Sequence, residues 1–174
     1  MLRTPVEIAR EELALGMKEP EAFKKYAGGR NEHWCAHFAS WVFLRAGSPL
    51  PGYKMPSLVP PRWNPVASVN TLYNEVAKEG KISRTPKPND LIFYYRTGSS
   101  GKKGHVGIVT QVKDGKVVSI EGNLSDRVVQ VTHRLNDPKI AGYGRVYSKD
   151  AVSAVGALAL AGSFFVTWKL LKNK

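Results

Sequence analysis

The fold is decided by residues 104–123, which read GHVGIVTQVKDGKVVSIEGN. Two runs of alternating apolar and polar residues flank Asp114-Gly115, a dipeptide typical of the turn between two antiparallel strands. If the loop holds two residues, Ile108 lies opposite Glu121, and apolar side chains oppose polar ones along the ladder. If the loop instead spans residues 114–116 with a bulge, one face becomes almost wholly apolar. We therefore predict the longer loop, because only this register gives the sheet a core face.

The opposite face of the hairpin would then be polar. It collects His105, Gly107, Val109, Gln111, Ser119, Glu121 and Asn123. A histidine held by a carboxylate or an amide is the oriented base that a thiol nucleophile requires. In this register Asn123 lies diagonal to His105 and Glu121 lies one step further along, so either side chain could orient the ring. The alternative interpretation is a polar sheet face exposed to solvent.

The residues before the hairpin show helical periodicity, and those around it show the period of strands. The predicted helices run from Thr4 to Gly16, from Pro20 to Gly28, from Asn31 to Gly47 and from Val66 to Gly80. The first opens with the capping box Thr4-Pro5-Val6-Glu7, and a proline-rich connector, residues 49–65, precedes the fourth. The predicted strands are residues 90–96, 105–113, 116–123, 127–133 and 142–147. This order predicts an α+β fold, with N-terminal helices packed on an antiparallel sheet.

Cys35 is the single cysteine of the sequence, which excludes an intrachain disulfide and a multi-cysteine metal cage. It falls in the first turn of the third predicted helix, where the helix dipole and free N–H groups favour a thiolate and can bind an oxyanion. The alternative is that Cys35 is unreactive and packs as a small buried hydrophobic residue. His33 and His37 flank the thiol four residues apart, but Trp34 stands where a zinc-protease helix carries glutamate. We predict no metal site and no cofactor.

Length and charge narrow the classes of function. The chain has 174 residues, enough for one domain with a hydrophobic core, and a net charge of +12. Such a charge indicates an anionic partner, which could be nucleic acid, phospholipid or an acidic polymer of a bacterial wall. The first fifteen residues lack the apolar stretch of a secretory signal, so we expect the protein to begin in a cytosol.

The C-terminal segment predicts a membrane span. Residues Ala151 to Trp168 carry no charge over 18 positions, and a lysine-rich tip follows. As a helix this run would cover roughly 27 Å, close to the hydrocarbon thickness of a bilayer. A buried core helix is the alternative, because the run is short for a span and rich in alanine. Ser153, Ala157 and Ala161 form a small-residue stripe that could support self-association. We therefore divide the chain into a domain, residues 1–148, and an anchor, residues 149–174.

Four motifs resemble, in order and spacing, those of the CHAP family, the cysteine, histidine-dependent amidohydrolases/peptidases. They are Asn31 to Val42 (NEHWCAHFASWV), Pro88 to Phe93 (PNDLIF), Gly104 to Val109 (GHVGIV) and Ile120 to Asn123 (IEGN). The resemblance covers most of residues 4–147, and Asn89 departs from it where the family more often has glycine. It implies a papain-like fold and a catalytic set made of Cys35 as nucleophile, His105 as base, and Glu121 and Asn123 as orienting partners. Asp90 is expected to be structural.

The resemblance also implies a function, the hydrolysis of amide bonds in bacterial peptidoglycan, with no specific binding of nucleic acid. Together with the predicted anchor and the absent signal, it suggests a phage lysin or virion-borne lytic enzyme, tethered to a viral membrane or to the host inner membrane. A bacterial effector that targets cell walls is the nearest rival. The alternative from another class is a non-catalytic, membrane-anchored virion protein that binds lipid or nucleic acid through its basic face.

Overall fold

The computed structural model describes residues 3–53, 66 and 68–148. Four helices come first in the chain: α1 (Pro5–Ala14), α2 (Glu21–Tyr26), α3 (Cys35–Arg45) and α4 (Val69–Lys78). The predicted capping box is present at α1, where the Thr4 side chain accepts from the backbone of Glu7 and the Glu7 side chain accepts from the backbone of Thr4. Ser68 caps α4 by accepting from the backbone N–H of Thr71.

Six strands form one antiparallel sheet. They are β1 (Ile82–Ser83), β2 (Leu91–Tyr95), β3 (Lys103–Lys113), β4 (Lys116–Leu124), β5 (Arg127–Arg134) and β6 (Ile140–Gly144). Their order across the sheet is β1-β6-β2-β3-β4-β5, so the longest strands, β3 and β4, lie inside it. The predicted α+β fold is confirmed over these residues, and the short strand β1 was not predicted.

The main core lies between the helices and one face of the sheet. Buried aromatic residues of α2 and α3 pack there against strand residues such as Phe93, Ile108 and Ile120. The rings of Tyr26 and Trp34 stack with centroids 5.4 Å apart, and Phe38 meets Tyr26 edge to face at 5.2 Å. This aromatic cluster fixes the start of α3 against the sheet.

The β3–β4 hairpin has the predicted faces near the helices but a different turn. Lys113 pairs with Lys116, so the loop holds only Asp114 and Gly115, both with positive φ. The extra residue is Thr110, which forms a bulge inside β3 between Val109 and Gln111. The predicted three-residue loop is therefore wrong. The predicted faces hold between the bulge and the site. Beyond the bulge the side chains of β3 change face, so Val112 packs in a second apolar cluster with Val109 and Val117 instead of in the main core with Ile108.

The structure also corrects the membrane prediction. No helix among the described residues is long and apolar enough to cross a bilayer. The longest of them, α3, has 11 residues, which makes it about 16 Å long against a hydrocarbon core of about 30 Å. The predicted transmembrane helix is therefore wrong as a part of this fold, and so is the membrane-anchored location that depended on it. Residues 149–174, including the run 151–168 and its small-residue stripe, lie outside the described residues.

Candidate active site

Cys35 is the first residue of α3 and is only 5% exposed. The N-cap residue of this helix, Trp34, makes no side-chain capping hydrogen bond. Among the described residues, the first N–H groups of α3 therefore have no capping side chain at the position of the thiol. Trp34 anchors this end: its ring is fully buried, and its Nε1 donates to Glu19 Oε1 at 2.9 Å.

His105 lies between Cys35 and a carboxylate. Its Nε2 is 2.9 Å from Glu121 Oε2, and the Cys35 thiol is close enough to its ring to contribute to raising the pKa of the imidazole. Because Nε2 is engaged by Glu121, Nδ1 is the ring nitrogen left to serve the thiol. Of the two partners that the sequence left open, Glu121 is the one whose hydrogen bond to the ring is present. Asn123 lines the cavity beside Cys35, with a positive φ of 60°.

The charge of this arrangement is set by burial and by pairing. Burial alone lowers the pKa of His105, but the hydrogen bonds and charges of Cys35 and Glu121 outweigh burial and raise that pKa to about 10. The pKa of Glu121 moves the other way: burial raises it, and the hydrogen bond and charge of His105 outweigh this and lower it. The raised pKa of His105 and the lowered pKa of Glu121 favour an imidazolium paired with a carboxylate at neutral pH.

Two hydroxyl groups hold the other oxygen of Glu121, which is 2% exposed. Tyr94 Oη and Ser119 Oγ each donate to Oε1 at 2.6 Å. Tyr94 lies on β2 directly opposite His105, with ring centroids 5.8 Å apart. Burial, reinforced by the charge of Glu121, raises the pKa of Tyr94, so its hydroxyl remains a donor. Tyr94 was not predicted as part of the site. The available signal was a tyrosine inside a buried strand, because its hydroxyl needs a hydrogen-bond partner there.

Two glycines give Glu121 and Cys35 their positions. Gly107 pairs with Glu121 across β3 and β4, and a Cβ at this glycine would lie 2.6 Å from Glu121 Cγ. Gly122 faces α3, and its Cβ would lie 2.5 Å from Phe38 Cβ and 2.8 Å from Trp34 Cζ3. The backbone of β4 thus touches α3 directly, one residue after Glu121 and close to the start of the helix.

The remaining histidines have other surroundings. His33 lies before α3 begins and lines the cavity, so it is not paired with His37 along a helix as the metal alternative required. His37 is fully buried, and its Nε2 lies 2.9 Å from Glu32 Oε1. His133 Nδ1 lies 3.1 Å from Asp137 Oδ2, and its ring centroid lies 5.1 Å from that of Tyr94. No group of three or more His, Cys, Asp or Glu side chains among the described residues could hold a metal ion.

A cavity of about 610 Å³ opens over Cys35 and His105. Its described lining consists of His33, Cys35, Ser68, Val69, Asn70, Arg96, Lys102, Lys103, Gly104, His105 and Asn123. The thiol and the imidazole therefore face a space large enough for several residues of a substrate.

A family model described as the CHAP domain matches residues 25–123, which include Cys35, His105, Glu121 and Asn123. Among solved structures, the chain is similar to a protein of Staphylococcus aureus subsp. aureus Mu50 described as similar to lipoprotein, NLP/P60 family. The identity is 17% and the TM-score 0.42, over 83% of this chain and 42% of that chain. No match is found among the curated proteins. The phage or virion source suggested by the sequence analysis finds no support in these comparisons.

Proposed function

This chain belongs to the CHAP domain family, and on that premise we propose that it hydrolyses an amide bond of bacterial peptidoglycan with Cys35 as the nucleophile. The observation that carries the proposal is the chain of contacts from the Cys35 thiol through the His105 ring to the Glu121 carboxylate. Each part needed for thiol catalysis is present: a nucleophile at a helix start, a base within hydrogen-bond reach and a group that orients the base.

The first step is acylation. The Cys35 thiolate attacks the amide carbonyl, and uncapped N–H groups at the start of α3 stabilise the oxyanion. The carbon–nitrogen bond then breaks as His105, protonated at Nδ1, gives its proton to the leaving amine. The products of this step are a free amine and a thioester on Cys35.

The second step regenerates the enzyme. Neutral His105 takes a proton from water, the resulting hydroxide attacks the thioester, and the carbon–sulfur bond breaks to give a carboxylic acid and the Cys35 thiolate. Glu121 acts through His105: its Oε2 keeps Nε2 hydrogen-bonded in both steps, so Nδ1 remains the nitrogen that moves protons. Glu121 is therefore a positioning residue in this mechanism. The scheme requires no cofactor.

Charge supports a cell-wall substrate. The net charge of +12 draws the protein to anionic polymers, and peptidoglycan with its associated polymers is anionic. The proposal covers cleavage between sugar and stem peptide as well as cleavage within the peptide. Mass spectrometry of the released fragments distinguishes the two reactions, since each leaves a different new amine and carboxylate.

Two histidines provide a matched test. His105 and His133 both lie on strands, each side chain is 22% exposed, and each pairs with a carboxylate. In a turbidity assay on purified peptidoglycan, we expect Cys35→Ser and His105→Gln to lose cleavage by at least about 10³-fold. His133→Gln removes a ring whose centroid lies 5.1 Å from that of Tyr94, so it should keep cleavage within about tenfold of wild type, far above the other two variants. Circular dichroism checks that all three variants are folded. Undiminished cleavage by Cys35→Ser would refute Cys35 as the nucleophile, and no cleavage by the wild type would favour a binding protein without catalysis.

A further inference from the structure

One end of the cavity is strongly basic. Arg96, Lys102 and Lys103 line it within a few residues of His105, and no acidic side chain lines it among the described residues. A cleft wall with one sign of charge raises the local concentration of ligands of the opposite sign. The wall therefore favours a substrate that carries a negative charge beside the bond to be cleaved.

Backbone packing places Arg96 next to the base. Its N–H donates to Lys102 O at 2.8 Å, where β2 and β3 leave the sheet. A Cβ at Gly104 would lie 2.6 Å from Arg96 Cβ and 2.7 Å from Arg96 Cα. The main chain of Arg96 thus packs against Gly104, the residue immediately before His105, and any larger residue at 104 would displace it.

These cations have no acidic partner within the described residues. Lys103 Nζ lies 4.2 Å from the ring centroid of Tyr73 and donates to Gly101 O at 3.2 Å, contacts that hold the ammonium without cancelling its charge. Other cations near the sheet and helices are paired, such as Lys25 with Glu12 and Arg145 with Asp90. The charge at the cavity is therefore available to a ligand.

The facing wall has the same electrostatic sign. Ser68, Val69 and Asn70, the cap and first two residues of α4, line the cavity. The start of a helix carries partial positive charge and free N–H groups. Asn70 Oδ1 accepts from the backbone N–H of Lys103 at 3.2 Å, which ties this helix end to the basic wall.

We propose that the basic wall formed by Arg96, Lys102 and Lys103 binds a carboxylate of the peptide substrate next to the scissile amide. This inference rests on the proposed function, because it assigns that site a specificity for acidic peptides. Arg96 has the geometry for a paired, two-point contact with a carboxylate, whereas the lysines contribute point charges.

The experiment compares two substrates that differ in one group. They are N-acetylmuramyl pentapeptides with the stem L-alanyl-γ-D-glutamyl-L-lysyl-D-alanyl-D-alanine, one with the free α-carboxylate of the glutamyl residue and one with its carboxamide. We expect wild-type kcat/KM for the carboxylate form to be about tenfold higher, as for one hydrogen-bonded charge pair. Arg96→Gln should reduce this preference to about twofold. Lys116→Gln, an equal charge loss at an exposed residue of β4 beside the turn, should keep the full preference.

A second measurement separates the inference from the proposed reaction. Calorimetric titration of full-length Cys35→Ser with both compounds reports binding without cleavage, and the carboxylate form should bind about tenfold more tightly. If the wild type cleaves neither of the two compounds nor whole peptidoglycan, the proposed function fails. The ratio of the two affinities measured with Cys35→Ser still tests the carboxylate-binding inference. Equal affinities for both forms, or a preference that survives in Arg96→Gln, would overturn it.

Discussion

Replacing Gly107 by alanine tests whether the close approach of β3 to Glu121 controls catalysis. The new Cβ would lie 2.6 Å from Glu121 Cγ, whereas ordinary contacts begin at 3.4 Å, so Cγ must move by about 0.8 Å. Glu121 has little freedom to adjust, because Tyr94 and Ser119 each hold its Oε1 at 2.6 Å. The displacement therefore falls on the 2.9 Å contact between Oε2 and His105 Nε2.

The expected effect follows from that contact. A hydrogen bond to a charged group contributes about 1.5–3 kcal/mol, so its loss should lower kcat/KM by about 10- to 150-fold. The alkylation rate of Cys35 by iodoacetamide between pH 6 and 8 should fall as well, because a misplaced His105 no longer supports the thiolate. As the single cysteine of the sequence, Cys35 is the only thiol that this assay reports.

Gly144→Ala is the matched control. A Cβ at this β6 glycine would lie 3.0 Å from Phe93 Cε2 and 3.2 Å from Val76 Cγ1, so it crowds the core away from Cys35. Both variants should unfold at lower temperature, and only Gly107→Ala should lose catalysis and thiol reactivity. A folded Gly107→Ala protein with kcat/KM within twofold of wild type would refute this reasoning, as would equal catalytic losses in both variants.

Three further predictions concern stability. Because the folded pKa of His105 is raised to about 10, its stabilising contribution is complete below about pH 6.5, the ordinary pKa of the unfolded state, and is lost as the pH rises through the folded pKa of about 10. In urea titrations the free energy of unfolding should fall between pH 7 and 10 by more in wild type than in His105→Gln, and equal falls would contradict this. Gly122→Ala should destabilise the fold by about 1–3 kcal/mol, because its Cβ would lie 2.5 Å from Phe38 Cβ; an unchanged Tm would count against the close contact. Asp90→Asn should cost roughly 1–2 kcal/mol of stability, because Asp90 pairs with Arg145 at 3.0 Å, while kcat/KM stays within twofold; a tenfold fall would place Asp90 in the catalytic machinery.

The sequence predicted the relation of His105 to Glu121 better than the details that produce it. If the apolar residues of the hairpin share one face, His105 and Glu121 must share the other. This holds wherever the one extra residue lies between them, because a side chain changes face with each one-residue shift in register. Alternation does not locate the bulge, since Thr110 within β3 and an extra residue in the turn satisfy the pattern equally well. The choice between Glu121 and Asn123 depends on that location, and it required the structure.

Tertiary contacts account for other differences. Periodicity placed the start of the third helix after Asn31, but the helix begins at Cys35 because the buried ring of Trp34 stacks on Tyr26 and donates to Glu19. Tyr94 was missed because its contact with Glu121 depends on how β2 pairs with β3, which local patterns do not report.

The bulge at Thr110 makes the length of β3 as important as its composition. With a two-residue turn and no bulge, His105 and Glu121 would point to opposite sides of the sheet. Substitution at Thr110 leaves the number of residues in β3 unchanged, whereas deletion of this one residue removes the bulge and with it the register shift that brings His105 and Glu121 to the same face. Related chains that keep the site should therefore gain or lose residues between His105 and Glu121 in even numbers, so the hairpin acts as a parity constraint on insertions and deletions over evolution.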